Sequence, residues 1–259
     1  MTDKVELKNE SCLPYLRSLE DESVDLVVVD PPYFINYDEW DNQWATEQDY
    51  LNWCEKWVRE SERVLKPNSC FYVWGTTKTD LFLRFKLEVL SQIDSFEYQN
   101  WIIWSYDWGG RSNKTWARKH EDLLFYSKGE EFPFHDENVR VPYEMESNVR
   151  DSVENDPRGK IPTDVWEKNN HTMSEEYCNW HSAQKPLDLL KRIIEGHTEK
   201  GDTVLDFFSG SGSTMIAAYN SGRRFCGCET DSEYHRKSIE RFENMKDSQN
   251  WAAEENPFW

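Results

Sequence analysis

The chain has 259 residues, 37% of them hydrophobic and 15% aromatic, which suits one large α/β domain or two small ones and argues against a disordered chain. No run reaches the roughly 18 apolar residues of a spanning helix, and Met1-Thr2-Asp3-Lys4 opens into a polar stretch with no signal-peptide core, so an intracellular, cytoplasmic protein is expected. The formal net charge of −19 repels polyanions over most of the surface and leaves any phosphate contact to local basic segments.

The first clear strand is Val24-Asp25-Leu26-Val27-Val28-Val29, a run of the kind buried on both faces of a parallel sheet. Pro31 and Pro32 end it, so Asp30 stands at the carboxyl end of a central strand, where open α/β sheets place their ligands. Tyr50, Leu51, Trp53, Trp57, Val58 and Val64 recur close to helical spacing from Glu47 to Leu65, and Lys66-Pro67-Asn68 closes that segment with a turn. Cys70 to Trp74 is a second buried strand, and a helix is expected from Thr79 to about Ile93. Two more strands, Asn100 to Ser105 and Asp122 to Tyr126, flank a loop that carries Arg111, Lys114, Arg118 and Lys119 between Gly110 and His120 with no acid among them. From 131 to 180 prolines and charges replace periodicity, which reads as an irregular insertion packed on a single domain spanning 1–259. The α/β pattern returns with a helix from Leu187 to about His197, the strand Thr203 to Asp206, a helix from Ser213 to Asn220, the strand Arg224 to Glu229 and a final helix near Tyr234 to Met245. The tail from Trp251 to Trp259 is expected to fray or to dock by its aromatics.

The six cysteines form no CxxC pair, and Cys226 and Cys228 have no second pair at zinc-like spacing, so buried thiols and no metal are expected. Two other motifs carry chemistry. In Asp206-Phe207-Phe208-Ser209-Gly210-Ser211-Gly212 a buried strand runs into glycines and then a helix, a turn that lets a ligand approach the backbone and faces it with helix amides. The next strand ends in Glu229, placed to accept both hydroxyls of a ribose. Neither a Walker lysine nor the full dinucleotide fingerprint is present, so a nucleoside without a pyrophosphate fits best, and S-adenosylmethionine is the commonest such cofactor.

Asp30-Pro31-Pro32-Tyr33 suits methylation of an amine. An exocyclic base amine is a poor nucleophile because its lone pair is delocalised into the ring. The Asp30 carboxylate and a backbone carbonyl from Pro31 can accept both amine hydrogens, the prolines keep these acceptors aimed, and Tyr33 offers a face to an extruded base. Methylation at a pyrimidine carbon would need a cysteine nucleophile in a Pro-Cys context, and no Pro-Cys dipeptide occurs.

On these residues the chain resembles the beta group of amino-methyltransferases acting on DNA, in which the catalytic motif precedes the cofactor motif. The likeness runs through Ser23-Val24-Asp25-Leu26, Arg63-Val64-Leu65-Lys66-Pro67, His120-Glu121-Asp122-Leu123-Leu124, Gln184-Lys185-Pro186 and Gly201-Asp202-Thr203-Val204-Leu205-Asp206. It implies a Rossmann-like, mostly parallel sheet of seven strands with helices on both faces, and a target-recognition role for the insertion at 131–180. It implies a cofactor pocket lined by Asp206, Phe208, Gly210, Gly212 and Glu229, with Lys185 near the methionine end. It implies N6 methylation of a flipped adenine in double-stranded DNA, by a protein acting alone or as a homodimer, with no membrane and no metal. Methylation of N4-cytosine or of adenine in RNA, and a catalytically silent nucleic-acid-binding partner of the same fold, stay open. The chain departs from the family pattern at Ser11, where an Asp usually precedes Cys-Leu, at Phe207, and at Ser182-Ala183. Trp40, Trp44, Trp104, Trp108 and Trp116 are candidates for stacking on bases, Trp108 foremost because it abuts the basic run.

Overall fold

A computed structural model describes residues 4–107, 112–143, 158–167 and 176–255. The first half contains β1 (Val5–Asn9), α1 (Cys12–Ser18), β2 (Val24–Val29), α2 (Glu47–Val64), β3 (Leu65–Gly75), α3 (Leu81–Glu88), β4 (Phe96–Ser105) and β5 (His120–Lys128). The second contains α4 (Asp136–Val139), β6 (Val165–Glu167), α5 (Leu187–His197), β7 (Thr203–Asp206), α6 (Ser213–Asn220), β8 (Arg224–Glu229) and α7 (Ser232–Glu255). The strands form one sheet in the order β1-β8-β7-β2-β3-β5-β4-β6, and only β5 runs against its neighbours. No helix among the described residues is long and apolar enough to cross a membrane.

Alternation along the central strands divides the core into two layers. Val27, Val29, Phe71, Val73 and Leu205 face α1, α2 and α3, whereas Leu26, Val28, Tyr72, Trp74 and Val204 face α5, α6 and α7. α2 shows how sequence sets one of these helices. Thr46 caps it by accepting the Asp49 amide at 3.1 Å, and Glu47 and Asp49 complement the helix dipole in the first turn. Tyr50, Leu51, Cys54, Trp57, Val58 and Val64 then form its buried face.

The observed bounds of β2, α5, β7, α6 and β8 coincide with those read from the sequence. The strands expected at Cys70–Trp74, Asn100–Ser105 and Asp122–Tyr126 are longer, running over Leu65–Gly75, Phe96–Ser105 and His120–Lys128, and other segments differ in kind or extent. The expected helix to Ile93 stops at Glu88 and continues as a short 3-10 turn over Leu90–Gln92. Lys66-Pro67-Asn68 is not a turn after the helix but a bulge within β3, where the pairing slips between Val24↔Leu65 and Leu26↔Cys70 and Asn68 takes φ 58°. α7 starts two residues earlier than expected and extends to Glu255.

The sheet also has eight strands instead of seven. The additional one, β6, lies within the stretch 131–180, whose described part also holds α4 and an isolated bridge between Val141 and Lys160. At three residues β6 is too short to leave a periodic signal. Its pairing with β4 extends the sheet beyond the antiparallel β5.

Parallel pairing of β2 with β7, through Leu26↔Val204 and Val27↔Leu205, sets the carboxyl ends of these strands side by side. β8 lies close on the other side of β7. A Cβ on Gly227 would come within 2.2 Å of the Asp206 carbonyl oxygen, so only glycine permits this approach. Asp30, Asp206 and Glu229 therefore emerge on one edge of the sheet.

Candidate active site

The turn after β2 is held from beneath by a residue that nothing in the sequence singles out. Asp41, 1% exposed, accepts the backbone N–H groups of Tyr33, Phe34, Ile35 and Tyr37 at 2.6, 2.7, 2.8 and 3.0 Å. These charge-assisted bonds offset the cost of Phe34 and Asn36, whose φ values of 54° and 58° are left-handed. Tyr50 of α2 donates its hydroxyl to the Pro32 carbonyl at 2.8 Å. The Asp30 carboxylate is fixed on both oxygens, accepting the Tyr33 hydroxyl on Oδ1 and the Lys185 ammonium on Oδ2. Each oxygen keeps a further lone pair for a ligand.

Lys185 lies just before α5, is 6% exposed and also stands 3.1 Å from Glu121 Oε2. Its burial disfavours the charge, but two carboxylates outweigh that and raise its pKa. Burial raises the Glu121 carboxyl as well, against the opposing pull of Lys185. The Trp74 ring lies 5.3 Å from the ammonium and closes the floor.

Across the cavity, the turn from β7 into α6 forms the second half. Phe208 N–H donates to Asp206 Oδ1 at 2.9 Å, and burial pushes the Asp206 carboxyl up to about 7. Glu229 accepts the Gly210 amide on Oε2 and the Asp231 amide on Oε1, both at 2.8 Å, with a lone pair left on each oxygen. A Cβ on Gly210 would meet His181 Nε2 at 2.6 Å, so this turn admits no side chain there. Gly212 does not line the cavity; it caps α6 in a left-handed conformation, with its amide bound to Ser209 O at 2.8 Å. Arg241 of α7 secures the turn through Ser211 O at 2.9 Å and Ser213 Oγ at 3.0 Å.

Both halves line one cavity of about 620 Å³, which includes Asp30 to Tyr33, Lys185, His181, Asp206, Phe208, Gly210 and Glu229. That volume is within the roughly 300–1,000 Å³ of small-molecule sites. Its walls are acidic: Glu10, Asp30, Asp38, Asp206, Glu229 and Asp231 line it together with Lys185, whose charge two carboxylates already engage. Burial lowers His181 to about 4, so it adds no cation at neutral pH. A phosphate would be repelled here, whereas a positively charged nucleoside, with its ribose on Glu229, fits the donor set.

Aromatic rings bridge the halves. Phe34 stacks on Tyr50 at 5.8 Å, Tyr50 and Trp53 flank Trp44 at 5.0 and 4.6 Å, and Trp53 reaches Phe208 at 5.6 Å. Phe207, the departure from the family pattern, packs on Trp57 at 5.7 Å in the same cluster. Trp40 and Trp44 do line the cavity. Trp104 does not serve as a stacking face: it is 1% exposed and packs on Trp74 within the core, since β4 turns that residue inward. Ser11 lines the cavity as the residue before α1.

The basic residues lie apart from this cavity, on the connection between β4 and β5. Arg118 donates to Thr77 Oγ1 and O at 2.6 and 2.5 Å, and Lys119 to the Asp107 carbonyl. Neither pairs with a carboxylate among the described residues, so both charges still project a positive field. Lys114 and Trp116 are exposed, Trp116 at 99%. Trp108 and Arg111 lie outside the described residues.

Two predictions follow from these contacts. Asp41→Asn turns an amide N–H2 towards two of the four backbone donors; with about 1.5–3 kcal/mol in each hydrogen bond to a charge, transfer should fall at least about tenfold while cofactor affinity by calorimetry stays within about twofold. Asp206 titrates near 7 when folded against 3.8 when unfolded, so the folded state holds the extra proton between these values and stability falls as pH rises through them. Asp206→Asn lacks that term, and its urea midpoint relative to the parent should rise between pH 5 and pH 8; a pH-independent difference would contradict the assignment.

A family model described as DNA methylase, for N6 and N4 methyltransferases, matches residues 24–240. The Type II methyltransferase M.BglII of Bacillus subtilis is 34% identical over 239 residues, covering 87% of this chain and 65% of that protein's length. The DNA adenine methyltransferase YhdJ of Escherichia coli (strain K12) is 33% identical over 242 residues, covering 89% and 80%. Among solved structures, PvuII DNA methyltransferase (cytosine-N4-specific) superposes with a TM-score of 0.74 at 21% identity, covering 93% of this chain and 87% of that one. The M1.HpyAVI-SAM complex superposes at 0.62 and 21%, covering 92% and 99%. The matched family segment contains both halves of the cavity, and the chain belongs to the DNA methylase family of N6 and N4 methyltransferases.

Proposed function

We propose that the chain methylates the N6 amine of an adenine flipped out of double-stranded DNA. The observation that carries this reading is that one cavity contains both a fixed carboxylate at the end of β2 and a nucleoside-type turn after β7. S-adenosylmethionine, when bound, supplies a methyl group on a positively charged sulfur. Glu229 accepts the ribose hydroxyls, the Gly210 turn admits the ligand to the backbone, and Phe208 offers it an aromatic wall. At the other end Asp30 accepts an amine hydrogen with a carboxylate whose plane Tyr33 and Lys185 hold, so the nitrogen lone pair is freed and aimed. The Tyr33 ring offers the flipped base a stacking face.

Adenine is favoured over cytosine by the family resemblance, since Asp at the head of the tetrapeptide usually accompanies adenine in that group and Ser cytosine, and by the relative whose name specifies adenine. The cytosine-N4-specific neighbour is similar in fold alone. Lys114, Arg118 and Lys119 are proposed to approach DNA phosphates, with Trp108 and Arg111 on the same connection, and the insertion at 131–180 to select the target sequence.

Incubation with methyl-labelled S-adenosylmethionine and mixed-sequence duplex DNA, followed by digestion to nucleosides, tests the reading. Label is expected in N6-methyladenine. Label in N4-methylcytosine, or in RNA but not DNA, would overturn the substrate.

A further inference from the structure

The reaction leaves a proton to dispose of. Methyl transfer forms an N–CH3 bond and breaks an S–CH3 bond, and it moves the positive charge from sulfur to the amine nitrogen. One N–H proton must then leave to restore a neutral amine. Asp30 is the acceptor nearest that nitrogen in the proposed pose, but a protonated Asp30 has to be emptied before the next turnover, and it lies well inside the cavity.

We propose that Glu121 is the exit for this proton, reached through Lys185, so that Asp30, Lys185 and Glu121 act as a relay from the amine to solvent. One hydrogen bond and one ion pair connect the three groups. The Lys185 ammonium donates to Asp30 Oδ2 and stands 3.1 Å from Glu121 Oε2. Lys185 and Asp30, with side chains 7% and 20% exposed, line the cavity that base and cofactor would fill, whereas Glu121, 24% exposed, does not line it and keeps its access to water when the cavity is occupied. Its Oε2 is itself fully buried and faces the ammonium. In the step, the amine proton passes to Asp30; Lys185 gives one of its protons to Glu121 and takes the proton from Asp30. Asp30 returns to carboxylate and Lys185 to ammonium, and Glu121 carries a neutral carboxyl that loses its proton to solvent.

The surroundings suit a transient proton carrier. Glu121 is faced by Lys185 from the start of α5, Asp30 and Tyr33 from the β2 turn, Asp122 from its own strand, and Tyr106 from the end of β4, while Arg118 acts on Tyr106. Burial and the neighbouring carboxylates raise its pKa against the pull of Lys185, so it is an ionised group that takes a proton more readily than an ordinary glutamate. A residue needed only to neutralise Lys185 would work best with its proton held off. The inference rests on the methyl-transfer reading but not on adenine as the base, since either amine has the same proton to lose.

Glu121→Gln keeps the shape and removes the acceptor. Cofactor affinity and KM for DNA are expected to stay within about threefold, the rate over repeated turnovers to fall at least about tenfold and by more than the first turnover does, and a solvent deuterium isotope effect on it to appear as proton departure becomes limiting. Added formate, or Glu121→Asp, is expected to recover part of the rate. An unchanged rate, or a loss without an isotope effect and without formate rescue, overturns the relay. The parent protein is the control in the same assay, and absence of any transfer by it would instead refute methyl transfer. Independently of turnover, carboxyl 13C NMR of the ligand-free protein is expected to show Glu121 titrating above the usual glutamate range, and higher still in Lys185→Met. Titration in the ordinary range would overturn the proposal.

Discussion

Three charged groups share one buried corner of this protein: the Lys185 ammonium and the carboxylates of Asp30 and Glu121. Removing any such charge from water costs several kcal/mol unless a partner of opposite sign compensates. Each therefore depends on the others, although they come from β5, the β2 turn and the entry to α5, far apart in sequence. The consequence is functional as much as structural. A carboxylate that accepts the Tyr33 hydroxyl on one oxygen and the Lys185 ammonium on the other cannot rotate freely, and a methyl-transfer site needs its acceptor aimed before the amine arrives.

That corner would be of little use on a flexible loop. The turn bearing Tyr33 is tied down by four amide bonds to buried Asp41, with Tyr50 fastening Pro32. The rings that continue from Phe34 through Tyr50, Trp44 and Trp53 to Phe208 join it to the turn between β7 and α6. Aromatic pairs of this kind add roughly 0.5–1.5 kcal/mol beyond their burial. They also give both halves of the cavity a common wall, so a displacement of one half is felt at the other.

The sequence discloses the parts of the site that lie at strand ends. Val24 to Val29 followed by two prolines leaves little doubt where β2 stops, and Thr203 to Asp206 before a glycine turn does the same for β7. β1 escapes notice because its alternation covers five residues at an edge, and β6 because it has three. Asp41 is invisible for a different reason: its role is to accept amides from a turn whose left-handed residues are not glycines, so no local motif marks it. Glu121 stands within a recognisable block, but its pairing with Lys185 across 64 positions depends on sheet order, which periodicity does not encode. Trp104 looks like any other tryptophan until strand alternation turns it inward.

Charge distribution reconciles an acidic chain with a DNA substrate. The acids inside the cavity suit a cationic cofactor, and Arg118 and Lys119 stand clear of carboxylates among the described residues on the β4–β5 connection. The central claim is that Asp30 acts on the amine while the cofactor is held by the opposite half of the cavity. Cofactor affinity by calorimetry and single-turnover transfer by Asp30→Ala test it together. The account predicts affinity within about threefold of the parent and a loss of transfer of at least about a hundredfold. Undiminished turnover, or loss of cofactor binding in step with activity, would contradict it.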